Sequence, residues 1–210
     1  MPLKGDVGRG RVLDFDLENR PLSYWQPDRP TAQITAIASA WVGDHDSMEV
    51  LLLGELTMEE MLSRFVERYN QADLVTGHYI RRHDLPIING ALYDNDMPLL
   101  GSKLTCDTKL DMMAKADIPA TQEFLIELLD PQCPIGIPVE KVHMTQRDWR
   151  EANTLSPEGR RKTRIRVASD VHGHEHMRDA MLQRGMLRGP STWEPGGGRS
   201  EQSGRHWVAA

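Results

Sequence analysis

Residues 11–18 alternate, with Leu13, Phe15 and Leu17 on one side and Val12, Asp14, Asp16 and Glu18 on the other. A period of two predicts a strand buried on its apolar side. Residues 34–42 and 48–53 are the next strand-like runs, and the turn residues 43–46 between them predict a hairpin. Thr57 with Glu60 forms a capping box for a helix whose apolar stripe is Met61, Leu62, Phe65, Val66 and Tyr69. Short strands follow at 74–76, closed by Gly77, and at 104–107. Helices are expected from near Asp84 through Ile87, Ile88 and Leu92, around 108–115, from Thr121 to Leu129, and near 146–153. The three prolines of 130–138 make that segment a loop. Ser156-Pro157-Glu158 starts a helix that runs to Met181 and stops at Gly185.

Strands first and alternating α/β afterwards favour a mixed sheet with helices on both faces. The expected organisation is an extension at 1–10, one domain at 11–188, and a Gly/Pro/Ser-rich flexible tail at 189–210. The 210 residues suit one domain, and the mean hydropathy of −0.51, with no long apolar run, argues against a membrane span. The start has no apolar signal-peptide core, and two isolated cysteines, Cys106 and Cys133, exclude a disulfide scaffold. Both point to the cytoplasm. A net charge of −6 is a poor match for a protein that coats nucleic acid through a basic surface, so the placement of the acids becomes the question.

Four acids stand in unusual places. Asp16 and Glu18 project from one face of the first strand, where two carboxylates repel unless a cation lies between them. An edge strand with a polar face explains the pair equally well, and Asp14 with Asp16 is an alternative register. Asp84 lies at a loop-to-helix junction, as a helix cap or as a ligand. Asp170 shares a helix face with Val167, Val171, His174 and Met181, the face expected to pack inward. A buried carboxylate there needs a partner or a metal ion, unless that face is wet. Two divalent ions held by carboxylates about 4 Å apart can hydrolyse a phosphodiester.

FDLEN at 15–19, GHYIRRHDLPII at 77–88 and RVASDV at 166–171 resemble, in order and spacing, the three motifs of the DEDD (DnaQ-like) 3′–5′ exonucleases of the ribonuclease H-like superfamily. With CDTKL at 106–110, the second segment is similar to stand-alone exonucleases encoded by phages. The resemblance spans 11 to about 186. It implies a ribonuclease H-like α/β fold and two Mg²⁺ or Mn²⁺ ions on Asp16, Glu18, Asp84 and Asp170. It also implies hydrolysis of single-stranded or frayed DNA to nucleoside monophosphates, with RNA as the alternative substrate. Replication proteins become expected partners, and a host cytoplasm the expected location. The sequence departs from the family at Tyr79, where Asn is usual, and at His83, where an aromatic is usual. Arg166 and Ile165 stand where relatives carry the Tyr or His that orients the attacking water. Arginine stays protonated, so the base is sought among His174, Lys141 and His143. A weakly catalytic domain that binds nucleic-acid ends is the rival reading.

Arg160, Arg161, Lys162, Arg164 and Arg166 crowd the start of the last helix. They form a solvated face or, with Arg81, Arg82 and Lys141, grip a phosphate backbone. His172, His174 and His176 cannot all face one ion on a helix; His172 and His176 could, but a zinc site needs further ligands.

Overall fold

The computed structural model describes residues 10–21, 32–113 and 117–196. Six strands form one mixed sheet in the order β3-β2-β1-β4-β5-β6. Strands β1 (Val12–Pro21), β2 (Ala32–Trp41) and β3 (Asp44–Leu52) pair antiparallel. Strands β4 (Leu74–Gly77) and β5 (Lys103–Asp107) continue from β1 in parallel. The chain is thus the expected α/β fold, a ribonuclease H-like mixed sheet with helices on both faces.

One face of the sheet carries α1 (Met58–Gln71) and α2 (Asp84–Asp94). Leu13, Phe15 and Leu17 of β1 pack there with Met61, Leu62, Phe65, Tyr69, Leu85 and Ile88. The capping box at Thr57 and Glu60 is formed as expected. On the other face lies α5 (Pro157–Gln183), 27 residues long and about 40 Å by its rise per residue. Ala36, Ala38 and Ala40 of β2 pack against Val167 and Val171 of α5. Such small side chains let a helix lie close to a sheet, which brings the polar side of β1 within reach of α5. Helices α3 (Gln122–Leu129) and α4 (Gln146–Asn153) pack on α5 from outside.

Two expectations are corrected. Residues 108–113 form turns rather than a helix, because the Asp107 carboxylate accepts the Lys109 and Leu110 N–H groups and Asp111 accepts that of Asp107. The side chains thereby satisfy backbone donors outside a helix. The segment 189–210 is not loose throughout: β6 (Ser191–Trp193) adds antiparallel to β5, and Trp193 is buried in the main core. Residues 1–9 of the expected extension and 197–210 of the tail lie outside the described residues.

Candidate metal centre

The site begins at the far end of β1. A bulge follows Glu18, where Thr35 of β2 is left over in the register and its hydroxyl donates to the Glu18 carbonyl at 3.1 Å. Up to that point the alternation holds, so Asp14, Asp16 and Glu18 all face α5.

Asp84 arrives by a different route. At Gly77 a Cβ would lie 2.7 Å from the Phe15 carbonyl oxygen and 2.3 Å from Ile80, so glycine is required for the close passage. Tyr79 then takes a φ of 74°, a left-handed conformation that Asn tolerates better than Tyr. The buried Asp107 carboxylate accepts the Tyr79 and Arg81 N–H groups at 3.1 and 3.0 Å and fixes the turn. The chain enters α2 with His83 as the cap and Asp84 as the first helical residue, buried under the end of β1. Asp84 is therefore not the cap.

Asp170 comes from the inward face of α5 and is only 3% exposed. Carboxylate oxygens of Asp16, Glu18 and Asp170 lie within 4.8 Å of one another. Asp84 stands close enough to Asp16 to be the strongest charge acting on it. Burial and this mutual repulsion raise the Asp16 pKa well above the ordinary range. Glu18 is pushed up to about 7 by burial and by Asp170, against the pull of Arg166 and Lys141. Burial raises Asp84 and Asp170 as well. Two buried oxygens, Oδ1 of Asp84 and Oδ1 of Asp170, have no hydrogen-bond partner. A carboxylate set of this kind is the donor chemistry of Mg²⁺ and Mn²⁺.

Two cations share the cluster. Arg166 Nε lies 3.0 Å from Asp170 Oδ2 and 3.4 Å from Glu18 Oε1, and its Nη1 donates to the Val142 carbonyl. Lys141 Nζ is 3.5 Å from Asp170 Oδ2 and donates to Gln122 Oε1 at 3.1 Å. Gln122, which sequence reasoning missed, also donates to the Asp170 carbonyl at 2.7 Å.

Other candidates lie elsewhere. His174 is buried with both ring nitrogens engaged: Nδ1 is 2.8 Å from the fully buried Asp14 carboxylate and Nε2 is 3.0 Å from Thr108 Oγ1. It therefore holds Asp14 rather than the carboxylate cluster. The same Thr108 hydroxyl meets His78 Nδ1 at 3.0 Å, and burial lowers the His78 pKa to about 3. His143 is exposed beside Glu123. Arg81 is tied to Asp111, Asp107 and Ser191, so its charge serves the fold; Arg82 is exposed. In the basic run, Arg161 pairs with Glu158, Lys162 with Asp148 and Arg164 with Glu55, while Arg160 donates to the Leu155 carbonyl. The histidine of the cluster is instead His83, whose Nδ1 lies 3.4 Å from Asp84 Oδ2 and whose pKa rises for that reason. Its position directly before Asp84 was the available signal.

The fold and site together define an α/β protein with a ribonuclease H-like sheet and a buried carboxylate cluster at one end of its central strand. Among solved structures, the chain is similar to the family B DNA polymerase from the hyperthermophilic archaeon Pyrobaculum calidifontis. The TM-score is 0.57 at 18% identity, covering 85% of this chain and 25% of the polymerase chain. The chain thus spans about a quarter of that protein and shares the fold of that region. No family model matches the chain, and no curated protein matches it.

Proposed function

We propose that the chain is a divalent-metal-dependent 3′–5′ exonuclease that hydrolyses the terminal phosphodiester of single-stranded or frayed DNA to nucleoside monophosphates. The observation that carries this reading is the convergence of Asp16, Glu18, Asp84 and Asp170 from three separate elements, with two buried oxygens unpartnered. Packed acids destabilise a fold unless a cation is meant to lie among them. Asp16, Glu18, Asp84 and Asp170 would hold two Mg²⁺ or Mn²⁺ ions. Such ions, when bound, supply a hydroxide at neutral pH and stabilise the leaving 3′-oxygen.

The chain's own residues have separable tasks. Arg166 and Lys141 hold Asp170 in place and lower the charge of the cluster toward an incoming phosphate. His83, half exposed and drawn toward protonation by Asp84, can hold a proton beside the cluster. Beside α2, a groove lined by Arg82, Tyr93 and Arg188 offers charge and an aromatic face to a single strand. The likeness to a DNA polymerase favours DNA over RNA as substrate.

Arg166 supports a second reading, a domain that binds nucleic-acid ends without cutting, because a permanent cation stands where a base would be useful. One assay separates the two. A 5′-labelled single-stranded oligonucleotide with Mg²⁺ or Mn²⁺ is expected to shorten stepwise from its 3′ end, and EDTA or Asp16→Asn to stop it. Binding without shortening would overturn the exonuclease reading.

A further inference from the structure

A second cluster of ligand-type side chains lies away from the carboxylates, and its members come from three elements. His176 and His172 stand one turn apart on α5, so both rings leave the helix on the same side. The β2–β3 hairpin brings His45 to them, with ring centroids 5.7 Å from His176 and 6.2 Å from His172. The proline-containing loop after α3 brings Cys133. Ligand atoms of His45, Cys133 and His176 lie within 4.8 Å of one another.

The polar atoms here are left without partners. His176 is only 8% exposed, and its Nε2 is buried with no hydrogen bond. The Nε2 of His172 is likewise buried and unpartnered. Burying two such nitrogens without a ligand is unfavourable.

We propose that His45, Cys133 and His176, with His172 as the fourth donor, form a structural Zn²⁺ site. It ties the β2–β3 hairpin and the loop after α3 to the middle of α5. One thiolate and three imidazoles are donors that suit tetrahedral zinc and not Mg²⁺. Zinc bonds of about 2.0–2.3 Å set donor atoms roughly 3.3–3.7 Å apart, so His45, Cys133 and His176, whose ligand atoms lie within 4.8 Å of one another, need to contract by only about 1 Å, and the His172 ring swings in to complete the set. Two of its walls are already placed. Gly43 N–H donates to Glu175 Oε1 at 2.8 Å, which docks the hairpin turn on α5, and Gly136 N–H donates to the Cys133 carbonyl at 2.9 Å, which shapes the loop.

Cobalt substitution tests this on the full chain stripped with EDTA. Co²⁺ added to one equivalent is expected to give intense tetrahedral d–d bands and a thiolate-to-cobalt charge-transfer band, both removed by equimolar Zn²⁺. Cys133→Ser should abolish the charge-transfer band, and His45→Ala should weaken Zn²⁺ binding by more than about tenfold against a chromophoric chelator. Both variants should melt like the wild type in EDTA, because neither side chain belongs to the hydrophobic cores. Cys106→Ser and Asp170→Asn should keep the band, which separates this site from the chain's other cysteine and from the carboxylates. Absence of a charge-transfer band in the wild type, its survival in Cys133→Ser, or its loss in Asp170→Asn would overturn the proposal.

Discussion

Replacing Asp170 by asparagine tests the carboxylate cluster through stability as well as activity. The substitution keeps the shape and an oxygen to accept from Arg166 Nε, now 3.0 Å away, and deletes one buried negative charge. That charge is the second largest cause, after burial, of the rise of Glu18 from 4.5 to about 7. A shift of this size corresponds to about 3 kcal/mol, on an order-of-magnitude basis. A carboxyl whose pKa is higher in the folded chain contributes stability that is complete below its unfolded pKa. That stability is lost as pH rises through the folded value, here about 7. The metal-free wild type should therefore lose stability between about pH 5 and pH 8. In Asp170→Asn, Glu18 and Asp16 ionise more easily, so part of that loss is recovered. Recovery of about one pKa unit is about 1.4 kcal/mol, or roughly 3–6 °C in melting temperature for a chain of this size. Melts in EDTA at the two pH values should show the variant gaining on the wild type at the higher one. Adding Mn²⁺ should reverse the order, because an ion at a hundred times its dissociation constant stabilises the wild type by about 2.7 kcal/mol and the variant far less. A variant less stable than wild type at high pH in EDTA, or equally stabilised by Mn²⁺, would refute the reasoning.

Two further substitutions examine what the sequence left open. His174→Ala should destabilise the fold by about 3 kcal/mol in urea melts, because it leaves the Asp14 carboxylate buried without its 2.8 Å partner, while Mn²⁺ binding at the cluster persists. Loss of Mn²⁺ binding in a folded His174→Ala would return that histidine to the metal centre. Trp193→Ala should cost about 3 kcal/mol or more and lower the melting temperature, since the indole is part of the main core rather than of an expendable tail. A variant that melts with the wild type would make that segment expendable after all.

Local pattern alone determined the elements whose chemistry is local. The alternation of 11–18, the capping box at Thr57 and Glu60, and the cap at Ser156 follow from side chains a few residues apart, and each appears where the pattern puts it. The inward face of α5 was equally legible: Val167, Asp170, Val171 and His174 are all buried. Tertiary structure decided what a charged or polar group meets across the chain, which periodicity does not encode. Asp14 and Asp16 share a strand face, yet His174 claims the first while Asp84 and Asp170 crowd the second. Arg166 turned inward to two carboxylates, whereas Arg161 and Arg164 on the same helix met surface acids. His172 and His176 carried no case for a metal until the hairpin and the loop brought His45 and Cys133 to them. Side-chain type and spacing limit which ligands a helix face can offer; only packing settles which distant side chains complete the set.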